Sequence, residues 1–218
     1  MEGEVFSLIG PKRFDVPWKE IESQGYIAPA ECIEIRATLS ETERLSYATA
    51  EVEEKYRMCA TTATKTKVVQ ALVEKHADDQ VLVIGQYISQ LDELSEKLGV
   101  PVIKGETPVK EREELFAAFR TGEIKCLVVS KVANFSIDLP DATIAIQVSG
   151  AFGSRQEEAQ RLGRILRPKS DGRSARFYSV VSRDTVDQDF AQNRQRFLAE
   201  QGYSYRIIDA DDVFQGKL

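Results

Sequence analysis

Gln160, Arg164 and Arg167 are spaced so that two guanidinium groups and an amide can gather on one side of a helix. At about 100° per residue the three point within roughly 40° of a common direction. Leu162, Ile165 and Leu166 point the other way and can pack on a core. A guanidinium is planar, permanently charged and able to bind pairs of oxygens, which suits a polyphosphate. The same pattern also fits a solvated amphipathic helix with surface arginines. Ser154 and Glu157 form an S-x-x-E capping box, so a helix is expected to start at Ser154, with Gly153 permitting a tight entry. Pro168 drives Arg167 out of helical geometry. Arg167 is therefore expected at the helix terminus, within reach of an external ligand.

The elements that would position these residues follow from hydrophobic periodicity. Glu31 to Leu39 alternates as a half-buried strand, Ser40 opens a helical stretch from Glu41 to about Ala60, and a second helix lies near Lys65 to Lys75. From Gln80 onward strands and helices alternate. Val81 to Ile84 is a continuous apolar strand of the kind buried in a parallel sheet. Ser89 is expected to cap a helix carrying Leu91, Leu94 and Leu98, and Val100 to Ile103 is a short strand. Thr107 reads as an N-cap with Pro108 at the first helical position, ahead of Val109, Leu115, Phe116 and Phe119. Cys126–Val129, Ile144–Val148 and Phe177–Val181 are further strands, and a last helix spans about Asp184 to Glu200. The rhythm predicts a parallel sheet sandwiched by helices. Residues 1–39 are expected to form an extension and 40–218 the α/β domain. Ligands of such sheets bind beyond the carboxyl ends of the strands, where Gln86, Lys104 to Thr107, Ser130 and Ser149 to Ser154 fall.

Composition bounds the function. At 218 residues and 42% hydrophobic, the chain can bury a sizeable core as one domain or a domain plus extension. It has no apolar run of membrane-spanning length and no basic-then-apolar leader. Cys32, Cys59 and Cys126 lack paired spacing, so neither a metal site nor a disulfide is expected, and the pattern suits a reducing cytoplasm. The net charge of −6 speaks against gripping DNA by bulk electrostatics. Between Arg155 and Arg176, however, seven cations face three carboxylates, a local surplus of +4, so the rest of the chain carries −10. A basic face on an acidic body suits a specific anion site.

Gln160 to Arg167 resembles motif VI of superfamily 2 helicases, Q-x-x-G-R-x-x-R. Ser130 to Pro140 resembles motif V, and Lys104-Gly105-Glu106-Thr107 with Arg112, Phe119 and Gly122 resembles the segment between motifs IV and V. The wording is most similar to XPB-type DNA helicases at Ser136–Pro140, Gly153-Ser154-Arg155 and Gln160–Arg164, and even Leu8 to Lys12 resembles a segment that follows motif III there. Neither a G-x-x-x-x-G-K-[ST] loop nor a D-E-x-H or D-E-A-D box occurs. Nucleotide hydrolysis needs the first to cradle phosphates and the second to hold magnesium. The resemblance therefore implies the second RecA-like lobe, preceded by a short tail of the first, as if excised from a longer chain.

That resemblance implies a role for each residue. Arg164 and Arg167 would be arginine fingers reaching the γ-phosphate of ATP held by the first lobe, whose residues would also hold Mg²⁺. Gln160, Asp138 and Arg161 would contact the nucleotide, although Asp138 also fits a plain cap before Leu139-Pro140. Gln86, Lys104, Gly105, Thr107, Ser130 and Lys131 would meet the backbone of DNA, since small hydroxyls and free N–H groups at strand ends bind phosphates without reading sequence. The Ala133-Asn134 pair departs from the Gly-Asp common in the family. The expected activity is ATP-driven opening of, or movement along, DNA with 3′–5′ polarity. The expected partners are DNA, the first lobe and a nuclease or repair protein, in the cytoplasm or on the nucleoid. The alternative is a non-enzymatic scaffold that keeps the lobe fold. His76 reads as a cation at a helix end and Trp18 as a packing anchor.

Overall fold

The computed structural model describes residues 30–130, 142–149, 175–200 and 203–218. They form seven strands: β1 (Ala30–Ala37), β2 (Val81–Gly85), β3 (Val102–Ile103), β4 (Cys126–Ser130), β5 (Ile144–Gln147), β6 (Ala175–Ser182) and β7 (Ser204–Asp209). Helices α1 (Glu41–Thr49), α2 (Val52–Ala60), α3 (Ala63–Lys75), α4 (Ile88–Leu98), α5 (Val109–Thr121), α6 (Val186–Glu200) and α7 (Ala210–Phe214) connect and cover them. Every strand pairing is parallel, in the order β3-β4-β2-β5-β6-β1-β7.

The apolar runs are continuous because both sheet faces are covered. Leu82, Ile84, Leu127, Val129, Ala145 and Phe177 pack with Phe116 and Phe119 of α5 and Leu198 of α6. The alternate residues Val81, Val83, Val128, Ile146, Tyr178 and Val180 pack with Val68, Val69 and Leu72 of α3, Leu91 and Leu94 of α4 and Val213 of α7. This is a doubly covered parallel α/β layer.

Three expectations change at the level of elements. First, the segment set apart as an extension supplies an inner strand: β1 lies between β6 and β7, so the sheet begins at Ala30, inside 1–39. One of its polar positions is buried too. Glu34, 1% exposed, accepts from Arg36 Nε at 2.9 Å and from Tyr205 Oη at 2.5 Å, and burial followed by this carboxylate pushes the Tyr205 phenol pKa up. Second, the stretch from Glu41 to Ala60 is two helices, broken at Ala50 and Glu51, both extended. Tyr47 Oη accepts the Val186 N–H at 2.9 Å, while the Tyr56 ring meets that of Phe190 at 5.7 Å between centroids, tilted by 48°. A straight helix would set residues 47 and 56 about 13.5 Å apart, whereas Val186 and Phe190 are separated by about 6 Å of α6; the chain must fold back to meet both. Third, Ser89 and Thr107 are not caps. Tyr87 and Pro108 precede the first helical residues, and neither supplies a side-chain cap.

Leu8 to Lys12 and Trp18 lie outside the described residues.

Candidate nucleic-acid edge and nucleotide motif

Strand order sets the candidate site. Because β3, β4, β2 and β5 are consecutive neighbours, their carboxyl ends stand side by side. Lys104 follows β3, Ser130 closes β4, Gln86 follows β2 and Ser149 follows β5, with Ser130 directly paired to Gly85. The sheet thus brings Gln86, Lys104, Gly105, Thr107 and Ser130 to one edge, although they are spread over 45 positions of the chain. Lys131, Asp138, Gln160, Arg161, Arg164 and Arg167 lie outside the described residues.

The Lys104–Thr107 turn is held from within. Thr107 Oγ1 accepts the Lys104 N–H at 2.9 Å, which leaves the hydroxyl proton to donate outward. Arg112, 7% exposed, turns its guanidinium back from α5 and donates to the carbonyls of Lys104, Gly105 and Thr107 at 3.4, 3.2 and 3.1 Å. These bonds draw Thr107 away from the start of α5, and Pro108 takes an extended ψ of 143°, so Thr107 cannot cap the helix. The Lys104 ammonium lies 3.0 Å from Asp92 and 3.7 Å from Glu106; the Asp92 bond chiefly raises its pKa. A phosphate at Lys104 must therefore compete with a carboxylate.

The β2 end is closed in a different way. The Gln86 N–H donates to Ser149 Oγ at 2.7 Å, so this backbone group is not free for a ligand. Gln86 Oε1 is buried and has no hydrogen-bond partner. Gly85 makes the approach possible: a Cβ there would sit 2.7 Å from Leu91 Cδ2 and 3.0 Å from both Ser149 Oγ and Val148 Cγ1. Ser130 and Ser149 are themselves 1% and 3% exposed. The groups of the row that reach solvent are thus Lys104, Gly105, Thr107 and part of Gln86, while Ser130 and Ser149 build the wall behind them.

Sequence reasoning assigned no role of their own to Arg112 and Ser149. The signal for Arg112 was an arginine at i on the stripe that carries Leu115, Phe116 and Phe119 at i+3, i+4 and i+7; Ser149 carried none, because its importance depends on the β2–β5 pairing. His76 also differs from a surface cation. It is 6% exposed, with Nδ1 3.0 Å from Asp79 and Nε2 2.9 Å from Tyr178 Oη, and burial pushes its pKa down against the pull of Asp79. The neutral ring donates to Asp79 and accepts from Tyr178. All three cysteines are buried thiols, and burial raises the pKa of Cys59 to about 11 and of Cys126 to about 12.

Comparison with known proteins places this geometry. The C-terminal domain of the DEAD-box protein Dbp5 superposes with a TM-score of 0.65 at 17% identity, covering 87% of this chain and 95% of that domain, so the fold is that of a helicase C-terminal RecA-like domain. The DNA 3′-5′ helicase XPB of Kineococcus radiotolerans is 71% identical over 215 residues, covering 99% of this chain and 39% of that protein. The Mycobacterium tuberculosis protein of the same name is 67% identical over 212 residues, covering 97% of this chain and 39% of that protein. The yeast transcription and DNA repair factor IIH subunit XPB/SSL2 is 37% identical over 212 residues, covering 94% of this chain and 25% of that protein. This chain thus spans about two fifths of the length of its bacterial relatives. Residues 21–217 match the family described as the ERCC3/RAD25/XPB C-terminal helicase, and the chain belongs to that family.

Proposed function

We propose that this chain is the second motor lobe of an ATP-dependent DNA helicase or translocase with 3′–5′ polarity, working against a first lobe that carries the phosphate loop and the Mg²⁺ ligands. The observation that carries the reading is the family match over 21–217, in a chain with Q-x-x-G-R-x-x-R but no phosphate loop of its own. ATP is the substrate, shared between lobes. Arg164 and Arg167 serve as fingers on the γ-phosphate, with Gln160, Asp138 and Arg161 beside the nucleotide. A guanidinium delivered to the transferring phosphoryl group offsets developing charge and is worth about 10³–10⁵ in rate.

DNA lies along the carboxyl edge of β3, β4, β2 and β5. Four neighbouring strands span about 14 Å at about 4.8 Å each, room for about four nucleotides at the 3.4 Å rise of a strand. Lys104 supplies charge, Gly105 close backbone approach and Thr107 a hydroxyl donor. None of these reads base identity, as a motor that must step through any sequence requires. Lys131, just past β4, extends the row. A nuclease or repair protein is the proposed partner of the assembled enzyme.

The test joins this chain to a first lobe and measures ATP hydrolysis with and without DNA. Strong DNA stimulation that vanishes in an Arg164→Ala variant supports the reading. DNA binding with no hydrolysis at all would instead favour a scaffold.

A further inference from the structure

A largely buried charge pair behind the strand-edge row has no part in ATP hydrolysis or DNA contact as proposed. Lys65 is fully buried on the face of α3 that carries Val68, Val69 and Leu72 into the core. Its ammonium donates to Asp187 Oδ2 at 2.5 Å and to the Val148 carbonyl at 3.1 Å. The same Asp187 oxygen accepts the Ser182 N–H at 3.0 Å, where β6 ends and α6 approaches. A buried ion pair is a poor source of stability, because desolvation opposes its Coulomb attraction and an uncharged pair of similar volume often serves as well. Its position points to another use.

Val148 is where β5 leaves the ladder. Its N–H still donates to the Ile84 carbonyl at 2.9 Å, but its own carbonyl has turned to Lys65. The next residue, Ser149, accepts the Gln86 N–H, and the bare Cα of Gly85 lets the two strand ends close together. Three elements, β2, α3 and, through Asp187, α6, thus fix two consecutive residues at the carboxyl edge. We infer that Lys65 and Asp187 are positioning residues that hold Val148–Ser149 against Gln86, and so set the geometry of the β2–β5 half of the edge that faces DNA. This deepens the proposed function and rests on the DNA-facing role given there to that edge.

The variant to make is Lys65→Met/Asp187→Asn. It leaves no buried charge, and the asparagine still offers the Ser182 N–H an acceptor. In this chain by itself, amide exchange at Gln86 should accelerate about tenfold, the scale of one lost charge-assisted hydrogen bond, while amides inside β2 and β5 keep their protection and the melting temperature shifts little. Unchanged exchange at Gln86 overturns the inference. In the protein carrying both lobes, the DNA concentration that half-saturates ATPase stimulation should rise about tenfold by the same reasoning, with kcat changing less. Ser149→Ala, which removes the Gln86 acceptor without touching the buried pair, should raise the same constant, and serves if the double variant does not fold. Half-saturation at wild-type DNA concentrations in Ser149→Ala, or in a folded double variant, overturns the inference as well. Absence of DNA stimulation in the wild type would count against the proposed function instead, with the exchange result still deciding the positioning role.

Discussion

At Thr107 one hydroxyl accepts the Lys104 N–H and keeps a proton to donate outward. Thr107→Val preserves shape and removes both properties. Stability should fall by about 1 kcal/mol in urea titration, the cost of one lost hydrogen bond, while DNA affinity falls further than that destabilisation explains. Unaltered DNA binding would remove Thr107 from the contact row. His76 makes a separate prediction. Its pKa in the fold is depressed below the ordinary 6.5 by burial. Above pH 6.5 the ring is neutral in both states and its bonds to Asp79 and Tyr178 contribute in full. As pH falls from 6.5 through the depressed value, the unfolded chain takes up a proton that the folded chain resists, so stability is lost. His76→Gln should flatten the loss of stability between pH 7 and about 5.5 relative to wild type; parallel curves would show that His76 is not the group responsible. Lys65 carries a sequence signal of its own. It stands at i with Val68, Val69 and Leu72 at i+3, i+4 and i+7, a lysine on a core-facing stripe, and that flags a buried partner. The partner itself, Asp187, lies 122 positions away and has no local signal.

At the scale of elements, β2, β4, β5 and β6 were legible because each is buried on both faces and reads as an apolar run. The break between α1 and α2 was not, since Ala50 and Glu51 are good helix formers and the break answers to contacts with α6. β7 was missed for the opposite reason: as an edge strand it is mostly exposed, so Ser204–Asp209 carries little apolar pattern. The junction of β2 and α4 is where packing is least forgiving. Leu91 is fully buried and cannot move aside for a Cβ on Gly85 placed 2.7 Å from it. Gly85→Ala should cost about 1–3 kcal/mol, the range for overpacking a close-packed core, read from the urea midpoint at unchanged m-value. Adding Leu91→Ala should relieve the clash, so that the double variant is less unstable than the two single costs summed. Strict additivity would mean that Leu91 does not set the limit at Gly85. The edge row was legible as a list of strand ends; the inward turn of Ser130, Ser149 and the Gln86 amide was not, because it depends on which strands are neighbours.

The described residues build a core on both faces of the sheet, while the sequence holds neither a phosphate loop nor an acidic box. The chain should therefore fold cooperatively alone and yet hydrolyse no ATP when DNA is added, because nothing in its 218 residues supplies a phosphate loop or an acidic box. Turnover by the isolated chain at the 1–100 s⁻¹ order common in phosphoryl transfer would refute a site split between lobes. Charge distribution makes the last prediction. The body carries about −10 outside Arg155–Arg176 and +4 within it, so DNA should be held weakly, and because phosphate contacts dominate what binding there is, affinity should fall steeply as salt rises. In the protein carrying both lobes, Arg164→Ala or Arg167→Ala should leave that DNA affinity and the melting temperature nearly intact, since both side chains are expected to face away from Leu162, Ile165 and Leu166. ATP turnover should drop by at least about 10², the scale of removing a transition-state charge from a closed cleft. Lysine should rescue poorly, because a point charge lacks the planar fork. Full turnover in both folded alanine variants would mean that neither arginine reaches the phosphate. A collapse in melting temperature would mean that the replaced arginine is structural, spent on holding the fold rather than on the phosphate.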